Sequence, residues 1–89
     1  MSTILIKYGT DHSVERLKLN SAKPEDSVVL IQNGIFWLLD ERTASCAGKV
    51  YAMRDDILAR GYSESDCPFQ LIDYSQFVEI VEKDPQFIG

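Results

Sequence analysis

The side chains best suited to nucleophilic or metal chemistry are few in this chain. There are two cysteines, Cys46 and Cys67, and one histidine, His12. A structural zinc site takes about four ligands of these types, and neither cysteine has a partner at metal-binding spacing. A single disulfide between the two is not favoured, because small disulfide-stabilised domains usually carry several. We therefore expect no metal ion and no cofactor.

Sulfur chemistry through a persulfide needs a cysteine with a lowered pKa, beside a cation or at a helix N-terminus. Cys46 has Arg42 and Lys49 near it in sequence but lies in a predicted loop. Cys67 lies among acidic residues, which disfavour its thiolate. We interpret both as incidental loop thiols and predict no catalytic residue, while a sulfurtransferase that uses either of them stays an alternative.

Four short runs of aliphatic and β-branched residues predict strands, at 3–8, 27–32, 49–53 and 69–72. The second run contains four consecutive aliphatic residues, Val28 to Ile31, as in a strand buried on both faces. Each run is followed by a helical pattern. Strands that alternate with helices predict an α/β fold with three layers, α/β/α, around a mostly parallel sheet of about four strands.

The helices are predicted from apolar spacing and capping residues. In the first, Val14, Leu17 and Leu19 are expected to face inward and Glu15 outward, with Asp11 or Ser13 as the cap. The second is expected at 35–41, followed by a loop at 42–48. The third begins with Arg54, and its first-turn aspartates, Asp55 and Asp56, fit the helix dipole. The fourth is capped by Asp73 or Ser75 and ends at Pro85.

The carboxyl ends of parallel strands are where open α/β sheets bind ligands. After the second strand, Gln32, Asn33 and Gly34 can present backbone amides to an anion, and Arg54 follows the third strand. Equally, Gly34 fits a tight turn from strand to helix without any ligand. We keep the four residues as a candidate ligand or anion site.

Phe36 and Trp37 are adjacent, so both cannot point into one core from a helix. A large exposed aromatic side chain on a small domain suggests a subunit contact. We predict these two residues at a subunit interface.

Composition narrows the class of partner. The 89 residues carry a net charge of −5, with no cluster of Lys or Arg, which argues against direct binding of nucleic acid or of anionic membrane. There is no apolar run of membrane-spanning length and no pattern of a signal peptide, so we expect a cytoplasmic protein. The length predicts one domain, 1–89, and a chain this short often depends on a partner.

Three segments together resemble the DsrH/TusB family: 28–37 (VVLIQNGIFW), 50–61 (VYAMRDDILARG) and 71–78 (LIDYSQFV). They match the family's second strand and turn, its third strand and helix, and its closing strand and helix. The resemblance implies a DsrE-like fold and assembly with DsrE/TusD-like and DsrF/TusC-like subunits. In such complexes persulfide sulfur is relayed towards 2-thiouridine at the wobble position of tRNA, or into sulfur oxidation.

The resemblance also implies where sulfur is carried. The DsrE/TusD-like subunits hold it on a cysteine near the end of the third strand, and some DsrH members have a cysteine in the first helix. Here those positions are 52–54 and about 16–18, and neither contains a thiol. We therefore expect a non-catalytic subunit of a sulfur-relay complex. The alternative is a stand-alone homo-oligomer that binds a small ligand or anion.

Overall fold

The computed structural model describes residues 2–83 and 86–88. Within them, five strands form one sheet: β1 (Ser2–Ile6), β2 (Ser27–Leu30), β3 (Lys49–Met53), β4 (Gln70–Ile72) and β5 (Gln86–Ile88). The α-helices are α1 (Ser13–Ser21), α2 (Glu41–Ala44), α3 (Arg54–Ala59) and α4 (Tyr74–Lys83), and 3₁₀ helices span Gln32–Trp37 and Glu64–Asp66. The predicted α/β fold with a parallel sheet is confirmed.

The strand order is β4-β3-β2-β1-β5, and every pair of neighbours is parallel. The four predicted strands are confirmed, with ends that differ by up to two residues. The fifth was not predicted. It is three residues long and pairs with β1 at the edge of the sheet, and so short a run at an edge carries little apolar pattern. Pro85, expected to end the last helix, lies outside the described residues.

The sheet has a large core on one face and a small one on the other. One face packs Ile4, Val28 and Leu30 against residues of α1, α3 and the first 3₁₀ helix. The other packs Leu5, Val29 and Ile72 against Phe77 and Ile80 of α4. Three connections each step one strand in the same direction and share a face, whereas α4 crosses back to the far edge on the opposite face. The result is the predicted three layers.

Helix α1 is turned relative to its predicted orientation. Val14 and Leu17 are 49% and 65% exposed, whereas Glu15 is fully buried. Of the three residues expected inward, Leu19 alone is buried in the core. The predicted capping is also wrong, because His12 is the N-cap residue and no side chain caps the helix. An apolar stripe cannot reveal this orientation, because it is set by hydrogen bonds that the Glu15 carboxylate accepts from the Lys7 and Tyr8 amides, just after β1.

The connection from β2 to β3 also differs from the prediction. A continuous helix at 35–41 was expected, but the 3₁₀ helix begins at Gln32 and ends at Trp37, and α2 begins only at Glu41. Asp40 separates the two and caps α2 by accepting the Arg42 N–H at 2.9 Å. In α4 the predicted cap Asp73 is confirmed: its Oδ1 accepts the Gln76 N–H at 2.8 Å, and Gln76 Oε1 accepts the Asp73 N–H.

Candidate functional site

A cleft of about 280 Å³ lies at the carboxyl ends of the central strands, between the ends of β2 and β3 and the start of α4. We call it the strand-end cleft. Its lining is Ile31, Gln32, Met53, Asp55, Asp56, Tyr74 and Phe77. The walls are therefore apolar and aromatic, and two carboxylates stand on the side of α3. This is the edge at which open parallel sheets place their ligands.

Asp56 connects two of the segments that line the cleft, the residues after β2 and helix α3. Its Oδ2 accepts the backbone N–H of Gln32 at 2.8 Å, and its Oδ1 lies 3.7 Å from Arg60 Nη1. Gln32 has a positive φ of 51°, which non-glycine residues seldom adopt. The sequence predicts Asp56 in the first turn of α3, where the structure places it. Its carboxylate also joins the segment after β2 to α3.

Gly34 is required by a close approach of two backbone segments. A Cβ at this position would lie 1.8 Å from the carbonyl oxygen of Ile6. The same carbonyl accepts the Ile31 N–H at 3.0 Å, so the turn after β2 is held against the end of β1. The reading of Gly34 as a turn residue fits this geometry.

The four residues of the predicted anion site are not assembled around one point. The Gln32 amide donates to Asp56, and the Gly34 amide donates to the Ile31 carbonyl at 2.8 Å. Asn33 Oδ1 accepts from Arg60 Nε at 3.3 Å, and Arg54 Nε pairs with Glu64 at 3.1 Å. Of the four, only Gln32 lines the cleft. The geometry thus gives an anion no support from these two amides, and the anion site stays a prediction.

The chemistry of the cleft differs from that of a sulfur-carrying site. The carboxylates Asp55 and Asp56 favour a cationic or neutral group over an anion such as a persulfide. Met53 stands at the end of β3, and no cysteine lines the cleft. A thioether is not the thiolate nucleophile that persulfide exchange requires, so this edge can bind or contact a partner but offers no sulfur carrier.

Both cysteines are free and pack on the other side of the sheet, against the large core. Cys67 Sγ donates to the Phe69 carbonyl at 3.2 Å, and Cys46 Sγ lies 3.7 Å from the Leu19 carbonyl. Burial raises the pKa of the Cys67 thiol, because it disfavours the charged thiolate. Cys67 is therefore a poor candidate for a thiolate at neutral pH.

A buried carboxylate also stands at the end of β1. Glu15 Oε2 accepts the backbone N–H of Lys7 at 2.6 Å and that of Tyr8 at 3.1 Å, and Oε1 lies 2.8 Å from Lys18 Nζ. Burial acts to raise the pKa of Glu15, but the hydrogen bonds from Lys18, Tyr8 and Lys7 together hold that pKa below its usual value. The Glu15 carboxylate thus accepts the hydrogen bonds of the two amides that could otherwise bind an anionic ligand after β1.

The two aromatic residues predicted at an interface have different environments. Trp37 is fully buried, its Nε1–H donates to the Tyr8 carbonyl at 2.9 Å, and the Arg42 guanidinium lies 4.7 Å from its ring. The prediction of Trp37 as an interface residue is therefore wrong, because its side chain is not exposed to a partner. Phe36 is 46% exposed and lies against Tyr62, and its place in an interface stays a prediction.

Sequence reasoning missed most of the cleft lining, namely Ile31, Met53, Tyr74 and Phe77. Ile31 directly follows β2 and Met53 ends β3, so their position at strand ends was a usable signal. Tyr74 and Phe77 belong to α4, and apolar side chains do not by themselves predict a cleft. Among residues 2–83 and 86–88, no group of three or more His, Cys, Asp or Glu side chains is placed to hold a metal ion. None of the helices in these ranges has the length and apolar character needed to cross a membrane.

Fold and cleft together define a small all-parallel α/β protein whose strand-end site is acidic and free of thiols. The chain belongs to the DsrH family, because the family model described as DsrH like protein matches residues 11–87. It is similar to protein TusB of Sodalis glossinidius (strain morsitans), with 34% identity over 74 residues that cover 76% of this chain and 78% of that protein.

Solved structures agree with this assignment. Two solution NMR structures of protein Tm0979 from Thermotoga maritima, one of them described as a candidate sulfur transferase, are 56% identical to this chain. Each comparison covers the whole of both chains, with TM-scores of 0.80 and 0.76. The DsrH/TusB resemblance seen in the sequence is confirmed.

Proposed function

We propose that this chain is a non-catalytic subunit of a sulfur-relay complex of the TusBCD or DsrEFH type, which acts in the cytoplasm. Its partners are DsrE/TusD-like and DsrF/TusC-like subunits. The observation that carries the proposal is a DsrH family chain whose strand-end cleft contains Met53 and no thiol. A subunit of this kind contributes surface to an assembly and leaves the transfer of sulfur to a partner's cysteine.

The environments of the two cysteines support the non-catalytic role. A relay thiol must be reachable and easily deprotonated to exchange sulfur. Cys46 and Cys67 are half-buried against the core on the face opposite α4, and burial disfavours the Cys67 thiolate. Neither cysteine lines the strand-end cleft.

The relative named TusB supports the tRNA version of this role, in which the complex supplies sulfur for 2-thiouridine at the wobble position. The net charge of −5 fits a subunit that contacts proteins and does not itself bind tRNA. Deletion of the gene is then expected to lower 2-thiouridine in hydrolysed tRNA, measured by liquid chromatography and mass spectrometry. In the sulfur-oxidation version, deletion instead lowers the rate of sulfide or thiosulfate oxidation.

Complementation separates a subunit from a sulfur carrier. A chain with both Cys46→Ser and Cys67→Ser is expected to restore the deleted function as well as the wild-type chain does. A persulfide on either cysteine after loading with a sulfide donor, together with failure of the double variant to complement, would show that the chain is a sulfurtransferase. Unchanged thiolation and unchanged sulfur oxidation in the deletion strain would contradict the relay role altogether.

A further inference from the structure

Helix α1 has its apolar side turned to solvent. Val14 and Leu17 are spaced at i and i+3 and are 49% and 65% exposed, whereas the Glu15 carboxylate is buried beneath the helix. A surface helix normally buries its apolar stripe, and burial of a carboxylate is unfavourable unless its hydrogen bonds are made. The hydrogen bonds and ion pair of Glu15 therefore hold two apolar side chains outward, where a partner can reach them.

The exposed side of α1 lies towards the β5 edge of the sheet. The Ile6 carbonyl accepts the Ile31 N–H on the β2 side of β1, and successive carbonyls of a strand point to opposite sides. The Leu5 carbonyl therefore points towards β5, and Lys18 Nζ donates to it at 3.2 Å. Val14 precedes Lys18 by one helical turn on the same side of α1, so Val14 also lies on the β5 side.

Strand β5 adds an apolar side chain to the same side of the sheet. Ile88 is in register with Ile4 on β1, and residues in register on parallel neighbours direct their side chains to the same face. Because Ile4 belongs to the large core, Ile88 faces the side of α1, where it is 45% exposed. Val14, Leu17 and Ile88 thus give α1 and the sheet edge an apolar surface, which we call the α1–β5 surface.

The segment that contains α1 is the positively charged part of an acidic chain. Residues 7–23 include four of the nine Lys and Arg residues but only two of the fourteen Asp and Glu residues. One of these two acids, Glu15, is buried and paired with Lys18. Arg16 and Lys23 are exposed, and neither forms an ion pair with a carboxylate of the described residues. Free cations therefore border the α1–β5 surface.

This combination of apolar and cationic groups distinguishes between kinds of partner. A nucleic acid would use the cations but leave the apolar side chains uncovered, and the net charge of −5 opposes its binding. A second copy docked two-fold through the same surface would bring the cations of both copies together, which is unfavourable. A polypeptide with an apolar stripe flanked by Asp or Glu complements both kinds of group, and an amphipathic helix has this form.

We infer that the α1–β5 surface binds an acidic amphipathic helix of a partner protein. The helix lies beside α1 and above β5, where it continues the layer of helices on this face. Its apolar stripe covers Leu17, Val14 and Ile88, and its carboxylates lie near Arg16 and Lys23. Three partly exposed apolar side chains are far fewer than the roughly 20–30 residues that each partner gives to a standard interface, so the contact is transient. The inference goes beyond the proposed function, because it requires neither relay subunit.

The test uses the full chain, isotope-labelled for NMR, and two synthetic amphipathic helical peptides as probes. Both peptides carry leucine along one side; one has glutamate beside the leucines and the other has lysine at the same positions. We expect the glutamate peptide to bind more tightly and to shift the amide resonances of α1 and β5, although the net charge of the chain favours the lysine peptide. Equal or tighter binding of the lysine peptide overturns the inference, and so do shifts confined to other elements.

Substitutions test the two kinds of contact separately. Leu17→Asp should weaken binding of the glutamate peptide at least about tenfold, whereas Leu58→Asp, at a position that is 52% exposed on α3, should leave it within about twofold. Arg16→Glu should weaken it about threefold, as expected of an exposed ion pair. Its control is Lys49→Glu, the same charge change at an exposed position of β3. Thermal unfolding followed by circular dichroism establishes that each variant is folded, and equal losses in variant and control overturn the surface.

Two other outcomes identify a different occupant and overturn the helix. One is a wild-type dimer in sedimentation that Leu17→Asp dissociates, which assigns the surface to a second copy. The other is binding of transfer RNA that Arg16→Glu abolishes, which assigns it to nucleic acid. The proposed function is decided separately, by thiolation or sulfur oxidation in the deletion strain, and stands or falls whichever peptide binds.

Discussion

Glu15 and Lys18 form an ion pair with 2.8 Å between Oε1 and Nζ, in which the carboxylate has no exposed surface. The same carboxylate accepts two backbone amides just after β1, and Lys18 Nζ donates to the Leu5 carbonyl at 3.2 Å. The pair thus fixes the rotation of α1 on the sheet.

Replacing Glu15 tests how much this network stabilises the fold. Glu15→Gln removes the charge that faces Lys18 and weakens the bonds with the two amides. Breaking a buried pair on one side is expected to lower the free energy of unfolding by about 3 kcal/mol, measured by urea denaturation. Glu25→Gln, at an exposed position, should change it by less than about 0.5 kcal/mol.

The contribution of Glu15 depends on pH with a defined sign. Its pKa is lower in the folded chain than the ordinary value of 4.5, so folding favours the ionised form. The stabilisation is complete above the unfolded pKa and is lost as pH falls through the folded one. The difference in unfolding free energy between wild type and Glu15→Gln should be constant near neutral pH and shrink below about pH 4.5. An undiminished difference at pH 3 would contradict the pairing.

Gly34→Ala tests the close approach of two backbone segments. The added Cβ meets the Ile6 carbonyl at 1.8 Å, where both partners are backbone. We expect a loss of more than about 2 kcal/mol in unfolding free energy. Gly9→Ala is the control, because a Cβ there meets nothing nearer than the Asp11 carboxylate at 3.4 Å. Equal effects of the two changes would refute this account of the turn.

Asp56 and Asp55 form a matched pair in the first turn of α3. Asp56→Asn weakens the hydrogen bond that holds the Gln32 amide and the contact with Arg60, and should cost about 1–2 kcal/mol of stability. Asp55→Asn, at an exposed position, should cost under about 0.5 kcal/mol. Hydrogen exchange of the Gln32 amide gives a second readout and should accelerate only in Asp56→Asn.

Trp37→Phe tests whether Trp37 is a core residue that stabilises the fold. The change leaves the Tyr8 carbonyl without its indole donor inside the protein, which should cost about 1–3 kcal/mol. Leu39→Ser, at a position that is 68% exposed, should be close to neutral. Urea unfolding of both variants can be followed by far-UV circular dichroism, which does not need the single tryptophan. A destabilisation no greater than that of Leu39→Ser would mean that Trp37 is not part of the core.

Cys67 should react slowly as a nucleophile because burial raises its pKa. At pH 7.5 its alkylation by iodoacetamide is expected to be slower in the folded chain than in the chain unfolded in guanidinium chloride, and to accelerate with rising pH. Mass spectrometry of proteolytic peptides measures the rate at this residue. Faster alkylation in the folded chain would indicate an activated thiol and would favour the sulfurtransferase alternative.

The sequence alone determined the alternation of strands and helices, the parallel sheet and the family. Val28 to Leu30 are aliphatic and fully buried, as expected of a strand covered on both faces, and the absence of a thiol near Met53 was visible without coordinates. These features depend on residues close together in the chain.

The tertiary structure decided which side chains face the core. The Glu15 carboxylate is buried because the Lys7 and Tyr8 amides donate to it and Lys18 pairs with it. The Trp37 indole is buried because the Tyr8 carbonyl accepts its N–H. Strand order, and with it the isolation of α4 on one face, depends on contacts between distant segments. Local periodicity carries no information about such partners, and a carboxylate in a helix is expected outward until its donors are known.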